Sequence, residues 1–323
     1  MNTIPSIFNE RQVKRTVIPR KEKPRGTEIP VCALLIDQGH QNRDTLLKNL
    51  VRNTFSSIIS IETAGDNYNM EHTANLFPTV TFIVVQEEVT QGELINIAVE
   101  EAEEDLVFVL RGALRIGAQV LSKRLFERIR DEGAFCAVPR LVDRDNRALP
   151  VCYCPVIENN RFTLDVGSGA ARGAGTVYTF DNIALYSKRK FVSLGGFDHT
   201  IAAPYWQTLD LCVRAWLWGE RISVYSSLQL AYEGDTPRDD TTANASYLRF
   251  FLKNILPVLG PEGADIPGRG FFSFWRRSGH FFFEALAQFR DARRWTRQNR
   301  GRFVRDIGTL AASWQDISAQ GQE

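Results

Sequence analysis

Short apolar runs that alternate with amphipathic stretches constrain this chain more than any other feature. Val31–Ile36 is continuously apolar, as is Leu106–Leu110. A strand with one face in water alternates in polarity, so an unbroken run of this length implies a strand covered on both faces, and strands of that kind belong to parallel sheets. Between them, Asp44–Thr54 places Leu46, Leu47, Leu50 and Val51 at helical spacing, and Ile95–Ala102 does the same with Ile95, Ala98, Val99 and Ala102. Ile58–Ile61 and Thr79–Val85 read as further strands, Met70–Leu76 as a short helix, Val120–Glu132 as a strongly periodic helix and Phe135–Pro139 as the next strand. This βαβα order predicts an α/β fold with a mostly parallel sheet between helices.

The second half is less regular. Arg140–Gly175 is rich in turn residues and predicts a hairpin with a mobile loop around Gly167-Ser168-Gly169 and Arg172–Gly175. Ile183–Tyr186 and Ile222–Tyr225 read as strands, Leu209–Trp218 and Ala243–Leu256 as helices, and Thr236–Thr242 as a polar break. The expected domain division is a flexible basic arm at 1–28, an α/β domain at 29–256, and a loop with a basic aromatic helical tail at 257–323.

The net charge of +1 hides a segregation. Residues 1–25 carry seven basic side chains against Glu10 and Glu22, and residues 269–305 carry ten arginines against Glu284 and Asp291, which leaves the middle of the chain acidic. An acidic body with cationic ends is not the pattern of a general nucleic-acid binder, and no nucleic-acid partner is expected. The five cysteines are irregularly spaced, and Cys152-x-Cys154 lacks a second pair, so neither a disulfide framework nor a zinc site is expected. No apolar run reaches the roughly 20 residues of a bilayer span, and the polar N-terminus has no apolar signal region; the expected location is cytoplasmic.

From about Pro30 to Gly234 the chain resembles a GT-A glycosyltransferase of the inverting family 2 type. Three local matches carry the likeness: Gly92-x-x-x-Asn96 ahead of the Leu106–Leu110 strand, the turn Gly195-Gly196-Phe197-Asp198, and Leu209–Ala215 followed by Gly219-Glu220-Arg221-Ile222. The resemblance implies a nucleotide sugar as ligand, bound where loops converge at the carboxyl ends of parallel strands. It places Asp37, Glu62, Asn96 and Arg111 in the nucleotide site, although Asp37 and Glu62 read equally well as solvated loop residues. It also implies an acceptor on cell-surface polysaccharide or lipid-linked glycan.

The chemistry of that family is where the chain departs. Hard oxygen ligands hold its divalent ion, and the paired aspartates that supply them align with Arg111 and Ala113. No metal is therefore expected, and no other cofactor. The Glu-Asp pair that carries the base aligns with Gln207-Thr208, and the family's late histidine falls in Ala231-Tyr232-Glu233. Arg111 is a fixed cation able to grip phosphate bidentately, and Asp198 or Asp210 is the replacement base. The competing reading has Arg111 paired with a neighbouring carboxylate and Asp210 capping or pairing at its helix start. Three functions follow: a degenerate family 2-like transferase, a non-catalytic scaffold at a membrane surface, or metal-independent transfer through Arg111.

The tail adds a partner. Phe271, Phe272, Phe274, Trp275, Phe281, Phe282, Phe283 and Phe289 alternate with arginines, a pattern suited to a peripheral helix on an anionic membrane or to an acidic protein, through residues 269–305. The competing reading packs these aromatics onto the acidic body.

Overall fold

The computed structural model describes residues 11–24, 29–36, 43–53, 55–64, 70–111, 114–116, 122–158, 161–167 and 173–319. Strand β1 (Arg15–Ile18) and β2 (Ile29–Ile36) lead to helix α1 (Arg43–Val51), β3 (Phe55–Thr63), α2 (Met70–Leu76), β4 (Val80–Val85), α3 (Gln91–Glu101), β5 (Leu106–Arg111) and the two-residue β6 (Leu114–Arg115). Then come α4 (Lys123–Glu132), β7 (Cys136–Val142), the hairpin β8 (Tyr153–Glu158) and β9 (Arg161–Val166), β10 (Ala184–Ser187), α5 (Lys188–Ser193), α6 (Pro204–Leu217) and β11 (Ile222–Tyr232). The C-terminal part holds α7 (Ala245–Phe250), the small hairpin β12 (Val258–Gly260) and β13 (Gly263–Asp265), α8 (Gly270–Ser278), α9 (Phe282–Gln298), α10 (Ile307–Ala312) and α11 (Trp314–Ala319).

Nine strands form one sheet in the order β1-β4-β3-β2-β5-β10-β7-β11-β6. The block β4-β3-β2-β5 is parallel, and β7 pairs parallel with β11; β1, β6 and β10 run antiparallel to their neighbours. The unbroken apolar runs are buried as their composition demands: every side chain from Val31 to Ile36 is at most 1% exposed. Helix α3 begins with a capping box, in which Thr90 Oγ1 accepts from Glu93 N and Glu93 Oε2 accepts from Thr90 N. This fixes the helix start beside the end of the sheet.

The structure corrects three sequence expectations. Residues 15–18 of the supposed flexible arm form an edge strand on β4. Its basic neighbours are spent on the acidic body: Arg11 pairs with Glu87 and Glu93, Arg15 with Glu100 and Glu101, and Arg20 with Glu103. These three arginines are thus satisfied within the chain. The tail is no separate unit either, because Phe274, Ala285, Phe289, Ala292 and Trp295 join the same core as the sheet. Trp295 stacks on Trp218 at 6.1 Å between ring centres, and Trp314 meets Trp216 edge-on at 5.0 Å. Finally, α6 starts at Pro204 rather than Leu209, with proline in the first turn, where its missing N–H costs nothing. The expected loop at 167–175 lies partly outside the described residues.

Candidate functional site

Parallel register brings the carboxyl ends of β3, β2 and β5 side by side, with Ile36 opposite both Ile61 and Arg111. Glu62 and Arg111 therefore stand on the same sheet edge. Asp37, Gly112 and Ala113 lie outside the described residues.

Arg111 ends β5 with its side chain 17% exposed, and its Nε lies 3.3 Å from Asp181 Oδ1. Among the described residues its Nη1 is buried without a hydrogen-bond partner. Asp181 and Asn182 both sit in the left-handed region, at φ 52° and 58°, which short polar side chains tolerate better than others. That backbone turn lifts the Asp181 carboxylate toward Arg111. The Tyr232 hydroxyl, at the end of β11, donates to Asp181 Oδ2 at 3.2 Å. Burial pushes the Asp181 carboxyl above the ordinary range, opposed by Arg111 and by the Tyr232 hydrogen bond. Asp239 belongs to the same electrostatic group. Burial also raises its carboxyl, the Tyr178 hydroxyl donates to it at 2.8 Å, and the charge of Asp181 raises it further. Tyr178 in turn packs against Tyr153 and Tyr205, each at 5.3 Å between ring centres, giving this group an aromatic wall.

The sequence did not point to Asp181 or Asp239, and reached Tyr232 only through the stretch Ala231-Tyr232-Glu233 that stands where the family has its late histidine. The one available signal was the pair Asp181-Asn182 just before an apolar strand, since these residue types accept a left-handed turn.

The other candidates have different surroundings. Glu62 is buried, and its Oε2 accepts from Arg43 Nη1 at 3.2 Å while Arg43 Nη2 donates to Thr73. The amide of Asn96 faces the backbone of Phe197: Nδ2 donates to Phe197 O and Oδ1 accepts from Phe197 N, both at 2.9 Å. It pins the Gly195–Asp198 turn to α3, a structural role in place of the expected nucleotide contact. Asp198 and Asp210, the expected bases, lie inside the protein with side chains 1% and 0% exposed. Lys253 Nζ donates to both, at 2.9 and 3.0 Å. Asp198 Oδ1 also accepts from the Thr200 N–H and hydroxyl, and Asp210 also binds Asn254 Nδ2 at 2.7 Å and Arg214 at 3.2 Å. Burial acts to raise the Asp198 carboxyl, but Lys253 and Thr200 override it and hold it low. With every oxygen engaged and none reachable by an acceptor, both aspartates are internal counter-ions, which corrects their catalytic assignment.

Gln207, at the aligned position of the family's base, is a clamp. Its Oε1 accepts from Gly92 N at 2.9 Å, and its Nε2 donates to Thr90 Oγ1 and to Asp198 O. The contact is so close that a Cβ on Gly92 would lie 2.6 Å from Gln207 and Phe197. Thr208 is likewise turned inward, its hydroxyl 2.8 Å from Asn182 Oδ1.

A divalent ion fits this edge poorly. Among the described residues Asp181, in the turn before β10, is the carboxylate facing Arg111, and a guanidinium already occupies its face. Among the described residues, no group of three or more His, Cys, Asp or Glu side chains is placed to hold a metal.

No protein-family model matches the chain, and no curated protein matches it. Solved structures do. GalNAc-T7, crystallised with UDP, GalNAc and Mn2+, superposes with a TM-score of 0.61 at 9% identity, over 91% of this chain and 58% of that one. TarS from S. aureus superposes with a TM-score of 0.52 at 14% identity, over 81% of this chain and 43% of that one. The shorter TarS 1-349, in complex with UDP, gives 0.50 at 15% identity, over 88% and 91%. This chain thus spans little more than half of GalNAc-T7 and less than half of the longer TarS. At these identities the likeness defines the fold, and the fold is GT-A, the α/β class of nucleotide-diphospho-sugar transferases.

Proposed function

We propose that the protein binds a nucleoside diphosphate sugar at the carboxyl edge of β3, β2 and β5 without a metal ion, with Arg111 gripping the diphosphate. The observation that carries this is the buried Arg111 Nη1 with no partner among the described residues, on a side chain still 17% exposed. An unsatisfied buried donor is costly, and a phosphate oxygen would relieve it. The neighbours crystallised with UDP support the ligand class.

In glycosyl transfer the bond from the anomeric carbon to the diphosphate oxygen breaks and a bond to the acceptor oxygen forms. The acceptor proton then needs a base. Asp239 takes that role in this reading, because it is exposed where Asp198 and Asp210 are not, and its carboxyl is raised above the ordinary range, nearer to a useful proton affinity. Calorimetric titration with UDP and GDP tests the binding. Equal affinity with and without EDTA, abolished in Arg111→Ala, is expected. Binding that EDTA removes, binding that survives the substitution, or no binding at all overturns the proposal.

A non-catalytic relative is the second reading, favoured by Gln207, whose amide is wholly committed to holding α3 and the Asp198 turn together. Nucleotide-sugar binding without turnover of any donor would select it.

A further inference from the structure

The α8–α9 hairpin sorts its aromatic residues into two sets. Phe271, Phe274 and Phe289 point into the core at 7%, 0% and 4% exposure. Phe272, Phe281 and Phe283 point outward at 61%, 87% and 81%. The outward set is not scattered. At the tip Trp275 packs edge-on against Phe282 at 5.4 Å and Phe282 against Phe283 at 5.6 Å, and Phe272, about two turns back on α8, joins them through Phe271, which meets Phe282 at 5.3 Å. Folding normally hides such side chains, and a continuous apolar patch on a charged protein marks a contact surface.

The charge around it is mostly positive, with Glu284 beside Phe283 the exposed exception at the tip. Helical spacing places Arg269, Phe272 and Arg276 on one stripe of α8, and Phe283, Arg290, Arg294 and Arg297 on one stripe of α9. Along α9 the arginines begin about 10 Å behind Phe283 and end about 20 Å behind it. Arg290, Arg293, Arg294, Arg297 and Gln298 line an open concavity of about 530 Å³ on this helix. Asp265 takes up Arg293 and Arg297, Asp291 takes up Arg294, and Glu284 faces His280. Arg269, Arg276 and Arg290 are exposed and make no ion pair among the described residues. Arg11, Arg15 and Arg20 near the N-terminus, by contrast, pair with Glu87, Glu93, Glu100, Glu101 and Glu103.

We infer that the tip of the α8–α9 hairpin inserts its phenylalanines into the surface of an anionic lipid bilayer, with the arginines behind it meeting the headgroups. Phenylalanine gains most from the boundary between headgroups and acyl chains, and arginine from the negative surface just above it. On α9 the order, Phe281 and Phe283 at the tip and the arginines about two turns or more behind, matches those two layers. A soluble acidic protein would pair with the arginines but leaves the exposed Phe281 and Phe283 at the tip, and Phe272 farther back on α8, unexplained. Among the described residues no helix is long and apolar enough to cross a membrane, so the attachment is to one face.

The test is flotation of the full chain with vesicles of phosphatidylcholine alone or mixed equally with phosphatidylglycerol, beside retention on immobilised heparin as a lipid-free polyanion. Binding to the mixed vesicles and not to the neutral ones is expected, weakening as salt is raised. Phe272→Ser/Phe281→Ser/Phe283→Ser should lower vesicle affinity at least about tenfold and leave heparin retention unchanged. Arg269→Gln/Arg276→Gln/Arg290→Gln should lower vesicle affinity by about fivefold per arginine. All six positions are exposed, so both variants should keep the parent's thermal transition. No binding to mixed vesicles, equal binding to neutral ones, or an aromatic variant that floats like the parent overturns the inference. Heparin retention without flotation does so as well.

Discussion

Lys253→Met is the most demanding test of the packing argument. Lys253 is 1% exposed, and its ammonium is shared by Asp198 and Asp210, with Trp295 stacked 5.0 Å away. Methionine fills a similar volume but leaves two carboxylates facing Arg214 and Asn254. Breaking a buried ion pair by removing one partner costs about 3–5 kcal/mol, because the remaining charge stays desolvated. Urea unfolding followed by tryptophan fluorescence should show a loss of that size at pH 8. The pH dependence supplies a sign. In the parent, Lys253 and Thr200 hold the Asp198 carboxyl low, so its contribution is present above the unfolded value and fades only as pH falls through the folded one. In the variant burial acts with less opposition and the carboxyl moves up, so the folded state takes up protons and the deficit shrinks between pH 8 and pH 5. Adding Asp198→Asn should recover part of the loss. A deficit under about 1 kcal/mol, or one that grows on acidification, would refute the reasoning.

Two further outcomes follow from the site. Gly92→Ala drives a Cβ to 2.6 Å from Gln207 and Phe197, and should lower stability by about 1–3 kcal/mol in the same urea assay; a neutral result would mean that the clamp is loose. Asp181→Asn removes the carboxylate that competes for Arg111 and keeps a residue that accepts the left-handed turn, so nucleoside diphosphate affinity should rise about tenfold, or ~1.4 kcal/mol, by calorimetry. Because burial raises the Asp181 carboxyl, the parent loses stability as pH climbs through the ordinary aspartate range up to that raised value, and this variant should lack that slope.

The architecture was legible where a residue's neighbours dictate its state. Val31–Ile36 and Leu106–Leu110 announced covered parallel strands because nothing polar interrupts them. Arg15–Ile18 gave no such signal: its burial is only partial, and its hydrogen bonds come from β4, some seventy residues away. Distance along the chain also explains the site. Arg111 could be read as a lone cation after an apolar strand, but that Asn96 serves Phe197, or Lys253 serves Asp198, depends on the three-dimensional path alone. The aromatic tail was visible as composition, whereas its division into an inward and an outward set required the helix axes.

Stacking of Trp295 over Trp218 and Lys253 gives the C-terminal helices a second duty: they roof the ion cluster behind α6. Shortening the chain ahead of α9 would let water reach Lys253, Asp198 and Asp210, and the Gly195–Asp198 turn beside them would loosen. The hairpin proposed to meet lipid is thus also a keystone of the interior, closing the ion cluster from behind.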